Sequence, residues 1–261
     1  MATENKIAIL LCTYNGEKYL REQLDSIIYQ SYKNWVIYAS DDGSADDTIT
    51  ILNEYQLKIG KEKLVILSGP KKGFAWNFIS SLQHNGEGFE YFAFCDQDDI
   101  WHHNKLERAV EFVYSTERDP FKECLLYGAR TFLVDDTGRS IGKSNLFRRK
   151  FSLNNALVQS YAGGNTMLIS NALREKVKLL PSNLEVVSHD WLLYIYCTAL
   201  DGEVMYDREP CLYYRQHGHN LVGSNRTLES KIKRLKKLYK GDVKTWNNIN
   251  EKNIEVLDGI S

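Results

Sequence analysis

The sequence lacks the features that mark several large classes of protein. Its five cysteines are Cys12, Cys95, Cys124, Cys197 and Cys211. They are odd in number, widely spaced and without a C-x-x-C pair, which argues against structural zinc and a disulfide framework. Most of them lie in apolar runs, where we expect small buried hydrophobes in a reducing cytoplasm. A net charge of −1 also argues against a general nucleic-acid-binding protein, which is usually basic.

Long apolar segments and targeting signals are missing as well. No apolar run approaches the ~18 residues of a transmembrane helix. The first residues, "MATENKIAILLC", have no basic region before their short apolar run, so we expect a strand there and not a signal peptide. With 261 residues and 43% hydrophobic content, the chain suits one large domain or a domain with an extension.

The first 115 residues alternate between strand and helix patterns. Apolar runs predict strands at 6–16, 35–40, 64–68 and 90–95. Helical spacing follows each of the first three runs, and Ser44 with Asp47 predicts a capping box for the second helix. This alternation indicates an open α/β sheet with right-handed crossovers, in which ligands bind beyond the carboxyl ends of the strands. The polar motifs "CTYNGE", "DDGS" and "DQDD" should therefore converge on one crevice.

The pattern after residue 115 is more mixed. "CLLYGARTFLVDD" predicts a strand and a turn, and "AGGNTMLIS" predicts a glycine loop that runs into a strand. A short helix should end before Pro181, and residues 189–200 should form a strongly apolar helix. "EVMYD" and "PCLYYRQHGHN" predict late strands, and residues 226–244 are rich in lysine and arginine.

The stretch "FAFCDQDDIW" (92–101) carries an apolar run straight into three carboxylates, Asp96, Asp98 and Asp99. Carboxylates this close raise one another's pKa unless a cation lies between them. In an extended stretch Asp96 and Asp98 share a face, and two such groups can hold Mg²⁺ or Mn²⁺ that also binds substrate phosphates. The alternative is that the aspartates cap a helix beginning near Trp101.

Other polar residues have both a structural and a functional interpretation. Asp42 of "DDGS" either accepts hydrogen bonds from a base or ribose or belongs to a simple turn. Thr13 and Asn15 can reach a nucleobase. Asp190, at the start of an apolar helix, either complements the helix dipole or acts as a general base. His217 has two interpretations of equal weight. It either serves as a metal ligand or phosphate contact, or it is an ordinary surface histidine.

Taken together, "CTYNGEKYLREQLDSIIYQSYKNWVIYASDDGSADDT", "DQDDIW" and "HDW" resemble the family 2 glycosyltransferases over roughly residues 5–220. Within that family, "AGGNTML", "HDWLLY" and "YRQHGHN" resemble bacterial rhamnosyltransferases of surface polysaccharide synthesis. The resemblance implies a GT-A fold: a Rossmann-like, mostly parallel sheet flanked by helices, with a C-terminal helical extension. It implies a catalytic domain at 1–225, with a nucleotide-sugar half to about 115 and an acceptor half from 116, followed by a basic amphipathic helical extension at 226–261.

The resemblance also implies an activity and a set of site residues. The reaction would be metal-dependent, inverting transfer from a nucleotide diphosphate sugar, with dTDP-rhamnose a candidate, to a saccharide or lipid-linked saccharide. The nucleotide-sugar contacts would be Thr13, Tyr14, Asn15, Glu17, Asp42, Lys72, Asn77, Asp96 and Asp98. Mg²⁺ or Mn²⁺ would be held by Asp98, Asp99 and His217, and Asp190 would be the catalytic base.

Two positions depart from the commoner pattern of that family. Trp76 stands where many members have arginine, so Lys71 or Lys72 would have to supply the phosphate contact. His189 stands where many members have glutamate before the catalytic aspartate.

Three rival functions remain open at this stage. A sugar nucleotidyltransferase would show a glycine-rich, arginine-containing loop after the first strand, and a D-x-D phosphatase would carry its aspartate there. The third rival is a non-catalytic nucleotide-sugar-binding protein. Segment 226–244, with an apolar stripe among lysines, predicts either peripheral contact with the inner face of the cell membrane or packing on the catalytic domain or on a second subunit of a homodimer.

Overall fold

The computed structural model describes residues 6–216 and 242–260. The strands are β1 (Ile7–Thr13), β2 (Trp35–Asp41), β3 (Leu64–Ser68), β4 (Tyr91–Cys95), β5 (Ile100–Trp101), β6 (Leu125–Val134), β7 (Ser140–Lys143), β8 (Leu168–Ser170) and β9 (Glu203–Arg215). The α-helices are α1 (Leu20–Ile28), α2 (Thr48–Ile59), α3 (Phe74–His84), α4 (Lys105–Tyr114), α5 (Leu153–Ala156), α6 (Asn171–Lys178), α7 (His189–Ala199) and α8 (Asp242–Ile260).

One sheet in the order β3-β2-β1-β4-β8-β6-β9-β5 organises the described chain, and β7 pairs with β6. The first four strands are parallel, as the alternation predicts. Beyond β4 the sheet becomes mixed, because β8 is antiparallel to both β4 and β6 while β9 runs parallel to β6. The two predicted late strands are one continuous strand, β9.

Both faces of the parallel half are covered. Every residue of β1 is buried, and its side chains alternate between two hydrophobic clusters. Helices α1, α2 and α4 cover the face that Ile7 and Ile9 share, and α3, α6 and α7 cover the face of Ala8 and Leu10. This burial on both sides explains why β1 appears in the sequence as an unbroken apolar run.

The predicted capping box is wrong. Helix α2 begins at Thr48, and its N-cap residue, Asp47, makes no side-chain capping bond. The hydroxyl of Ser44 instead donates to Asp41 Oδ1 at 2.5 Å, because the Asp41 carboxylate lies inside the preceding turn and is the stronger acceptor. The suggested capping of a helix near Trp101 is also wrong, since α4 begins at Lys105 after Asn104.

Helix α8 packs against α7. The hydroxyl of Tyr196 donates to the carbonyl of Asn253 at 3.0 Å, and the rings of Trp191 and Trp246 meet edge to face at 6.3 Å. Leu257 is buried at the same contact. This part of the extension therefore lies on the predicted catalytic domain, while residues 226–241 and His217 fall outside the described residues. The division at residue 225 stays a prediction.

Among the helices that the structure describes, none combines the length and the apolar character that crossing a bilayer would require.

Candidate active site

The loops that follow β1, β2 and β4 meet at one edge of the sheet, as the sequence predicts. The backbone N–H of Asn15 donates to Ser44 Oγ at 2.9 Å, and its side-chain oxygen accepts from the N–H of Ala45 at 2.8 Å. Asn15 adopts a left-handed φ of 48° in making this crossing. The loop after β1 is thus joined to the loop after β2.

Gln97 joins the loop after β1 to the acidic loop. Its Oε1 accepts from the N–H of Tyr14 at 2.8 Å, and its Nε2 donates to the carbonyl of the same residue at 3.0 Å. A Cβ at Gly16 would lie 2.2 Å from Gln97 Oε1, so only glycine leaves room for this amide. Sequence reasoning missed Gln97, although its position between two aspartates was the available signal.

Asp41 shapes the turn after β2. It is the second residue, after Gln97, whose role the sequence analysis missed. Its carboxylate accepts from the hydroxyl of buried Thr13 at 2.8 Å and from the N–H groups of Gly43 and Ser44 at 3.1 and 2.8 Å. The neighbouring Asp42 accepts from the N–H groups of Lys71 and Gly73 at 2.6 and 2.9 Å. The two aspartates therefore fix adjoining loops of the crevice.

Three other predicted nucleotide-sugar contacts have protein partners. The side-chain amide of buried Asn77 exchanges bonds with Ser40, at 2.6 Å to the hydroxyl and 2.9 Å to the carbonyl. Lys72 donates to the carbonyl of Ser182 at 3.1 Å, and Glu17 accepts from the N–H of Asp47 at 3.0 Å. Their direct contacts with a donor stay predictions. Tyr14, by contrast, is 58% exposed at the mouth of the crevice.

Asp98 and Asp190 both lie within electrostatic reach of Asp96. Burial, together with the charges of Asp98 and Asp190, raises the pKa of Asp96 to about 7. Asp190 occupies the first turn of α7, where its Oδ1 accepts from the N–H of Trp191 at 2.8 Å. The carboxylates Asp96 of "DQDD" and Asp190 of "HDW", far apart in sequence, are thus close enough for their charges to interact.

Asp99 is fully buried, although its carboxylate still interacts electrostatically with Asp96 and Asp98. Its Oδ2 accepts from Asn165 Nδ2 at 2.6 Å, and its Oδ1 accepts from the N–H of Arg215 at 3.3 Å. Burial raises the pKa of Asp99 well above its ordinary value. Arg215 also donates to the carbonyl of Asp98 at 3.2 Å, so the end of β9 supports the acidic loop from behind.

A divalent cation fits this crevice in part. Within residues 6–216 and 242–260, no group of three or more histidine, cysteine, aspartate or glutamate side chains gathers closely enough to hold a metal alone. Asp96 and Asp98 are partly buried, and their mutual repulsion favours a cation between them. Mg²⁺ is usually bound by one or two protein carboxylates, and the phosphates of the substrate supply further ligands. In this structure Asp99 is committed to Asn165 and Arg215.

His189, beside Asp190, is enclosed by aromatic rings. Its ring centroid lies 4.1 Å from Phe78, 5.1 Å from Phe94 and 6.3 Å from Phe74. Within residues 6–216 and 242–260 neither ring nitrogen has a hydrogen-bond partner, and burial lowers the pKa of the imidazole to about 4. A Cβ at Gly164, the second glycine of "AGGN", would lie 2.3 Å from Nε2 of His189. Any larger residue at this position would therefore clash with the imidazole ring.

Comparison with known proteins identifies the family. Residues 8–156 match the family model described as Glycosyl transferase family 2. The chain belongs to this family. It is 32% identical over 234 residues to the dTDP-rhamnosyl transferase RfbG of Shigella flexneri, covering 86% of this chain and 78% of that protein. An uncharacterized glycosyltransferase of Rickettsia typhi, RT0329, is 28% identical across 81% of this chain and 64% of its own length.

Solved structures show that this family 2 chain has the GT-A fold. The S. aureus TarS fragment 1–349 in complex with UDP-GlcNAc superposes with a TM-score of 0.61 at 20% identity, covering 82% of this chain and 60% of the TarS chain. The mannosyltransferase PcManGT from Pyrobaculum calidifontis, in complex with GDP-Man and Mn²⁺, gives 0.62 at 14% identity, covering 99% and 74%. The family match makes the chain a glycosyltransferase, and the nucleotidyltransferase and phosphatase alternatives are set aside.

Proposed function

We propose that this glycosyltransferase transfers rhamnose from dTDP-rhamnose to a saccharide acceptor in the synthesis of a cell-surface polysaccharide, with inversion at the anomeric carbon. The choice of donor is supported by the 32% identity to the dTDP-rhamnosyl transferase of Shigella flexneri. The choice of mechanism is supported by one observation, that Asp190 in the first turn of α7 is close enough to Asp96 for their charges to interact.

In this mechanism the donor lies between the two groups of carboxylates. Asp190 receives the proton of the acceptor hydroxyl as its oxygen attacks the anomeric carbon from the side opposite the diphosphate. The bond to the diphosphate breaks in the same step, so the configuration inverts without a covalent sugar–enzyme intermediate. Because Oδ1 of Asp190 already accepts from Trp191, we assign proton acceptance to Oδ2.

Asp96 and Asp98 would hold Mg²⁺ or Mn²⁺, which when bound offsets the negative charge of the departing diphosphate. Thr13 and Asn15 shape the loop after β1 through their bonds to Asp41, Ser44 and Ala45. That arrangement leaves the exposed Tyr14 ring to contact the nucleoside. Asp99 then acts by positioning the acidic loop.

A screen of donors tests this proposal. Purified enzyme is incubated with dTDP-rhamnose, UDP-GlcNAc or GDP-mannose, each with Mn²⁺ or with EDTA, and release of the nucleoside diphosphate is measured. We expect turnover with dTDP-rhamnose and Mn²⁺ and little with EDTA. Full turnover in EDTA would contradict the metal assignment, and preference for another donor would contradict the rhamnosyl assignment. Association of segment 226–244 with a membrane remains a separate prediction, to be checked by vesicle co-sedimentation.

A further inference from the structure

The acceptor half contains a long stretch of chain without acidic residues. Residues 137–174 carry six lysine or arginine residues and no aspartate or glutamate, in a protein whose net charge is −1. Three of the cations are consecutive, Arg148, Arg149 and Lys150, and all three are exposed. Among the described residues, none of the three makes a side-chain hydrogen bond or ion pair. We call residues 144–152, between β7 and α5, the cationic loop.

The cationic loop is held in place at both ends. Before the cations, the guanidinium of Arg130 donates twice to the carbonyl of Ser144, at 2.7 and 3.2 Å. On either side of them, Phe147 and Phe151 stack on each other with centroids 5.4 Å apart and planes inclined by 5°. The cations therefore extend from a short loop whose two flanking rings are in contact.

The loop lies beside the helix that carries the proposed base. The Phe151 ring is 6.3 Å from the ring of Tyr194, which follows Asp190 by four residues and so shares its face of α7. Trp191, next to Asp190, donates its indole N–H to the carbonyl of Ala156 at 2.5 Å. Two independent contacts thus place the loop and the end of α5 alongside the first turns of α7.

The charge of this neighbourhood is divided. The crevice on the donor side contains the carboxylates Asp96 and Asp98, and the charge of Asp190 acts on Asp96, whereas residues 137–174, which reach α7 through Phe151 and Ala156, carry no acidic side chain. An acceptor has to reach Asp190 with a hydroxyl while the rest of it extends away from the donor. An anionic group on it would be repelled by Asp190 and by the diphosphate of the bound donor, and attracted by the cationic loop.

We propose that the cationic loop binds a phosphate or diphosphate ester carried by the acceptor saccharide. Guanidinium groups match phosphate oxygens through paired hydrogen bonds, and two adjacent arginines with a lysine suit a group that bears more than one negative charge. The inference rests on the proposed function, because it names the acceptor class of that transfer. It makes Arg148, Arg149 and Lys150 the residues that select a phosphorylated acceptor over a neutral one.

Binding, measured without transfer, tests the proposal independently of the reaction. Octyl diphosphate, octyl glucoside and nonanoate are titrated into the enzyme by calorimetry in EDTA, which removes metal-mediated binding near Asp96 and Asp98.

The test variant is R148Q/R149Q/K150Q. The matched control is K61Q/R208Q/K252Q, which removes three other exposed cations. We expect octyl diphosphate to bind the wild type and the control equally and the test variant about tenfold more weakly, since exposed charge pairs contribute modestly one by one. Neutral octyl glucoside should bind all three equally weakly.

Several results would overturn the proposal. They are no binding of octyl diphosphate to the wild type, equal binding by the test variant, or equally tight binding of nonanoate, which would make the loop a general anion site. Loss of binding to phosphatidylglycerol vesicles by the test variant, with octyl diphosphate binding unchanged, would make the loop a membrane contact instead. If no nucleotide sugar is turned over but the titrations behave as expected, the proposed function fails while the phosphate site stands.

Discussion

The side-chain amide of Asn165 donates to the buried carboxylate of Asp99 at 2.6 Å, joining two loops that lie 66 residues apart in sequence. Asn165 follows the paired glycines of "AGGN", and Asp99 is the last aspartate of "DQDD". The bond therefore connects the loop that contacts His189 to the loop that carries Asp96 and Asp98. In this structure Asp99 supports the acidic loop from inside.

Removing that amide should destabilise the fold. We expect Asn165→Ala to lower the free energy of unfolding by about 1–3 kcal/mol, because a buried carboxylate oxygen loses its partner. Urea denaturation of the two proteins measures the difference. Asn154→Ala, at an exposed position of α5, is the matched control and should change little. Equal stability of the Asn165 variant and the wild type would show that this bond does not hold the loop.

The fold of the parallel half could be predicted because its signals are local. β1 is buried on both faces, so its apolar run is unbroken, and the crossover helices have clear apolar stripes. The role of Gln97 could not be predicted, because it depends on the backbone of the loop after β1. That of Asp41 depends in part on the hydroxyl of Thr13 at the end of β1. The capping box failed for a local reason, since Ser44 donates to Asp41, a carboxylate three residues before it.

Gly164→Ala should be destabilising through one neighbour. Its Cβ would lie 2.3 Å from Nε2 of His189, so the imidazole has to move within its aromatic cage, at a cost of about 1–3 kcal/mol. The double variant Gly164→Ala/His189→Ala should recover part of that loss, because the clashing ring is gone. Gly259→Ala, where nothing lies within 4 Å of the added Cβ, is the control. Additive effects in the double-mutant cycle would rule out the contact.

The buried imidazole of His189 predicts a loss of stability in acid. Burial lowers its pKa from the ordinary 6.5 to about 4, so the unfolded chain binds a proton more readily than the folded protein does. The contribution of the neutral imidazole to the free energy of unfolding is fully present above pH 6.5. It declines as the pH falls towards 4, by roughly 3 kcal/mol in all. Unfolding free energies measured across this range should fall less steeply for His189→Leu than for the wild type. His84→Gln, at an exposed site, should keep the wild-type slope. Parallel curves for the wild type and His189→Leu would contradict the assignment.

Gln97 should affect donor binding more than chemistry. Its amide makes both backbone bonds of Tyr14, so Gln97→Ala frees the loop that we expect to contact the nucleoside, at a cost of about 2 kcal/mol for two hydrogen bonds. We predict a higher KM for the donor with kcat changed much less. Gln97→Glu keeps the acceptor for the N–H of Tyr14 but loses the donor to the carbonyl of Tyr14. Its KM for the donor sugar nucleotide should therefore lie between those of the wild type and Gln97→Ala. A donor KM equal to that of the wild type in Gln97→Ala would show that the loop keeps its shape without this amide.

The central claim is that Asp190 is the base of an inverting transfer, and single-turnover transfer by Asp190→Asn tests it most directly. Asparagine keeps the size of the side chain and an oxygen for the Trp191 N–H, but it cannot take the proton of the acceptor hydroxyl. We predict unchanged donor affinity and a transfer rate lower by about 10²–10⁴-fold, with the residual product still inverted at the anomeric carbon. Near-normal transfer by Asp190→Asn, or a product with retained configuration, would contradict the account.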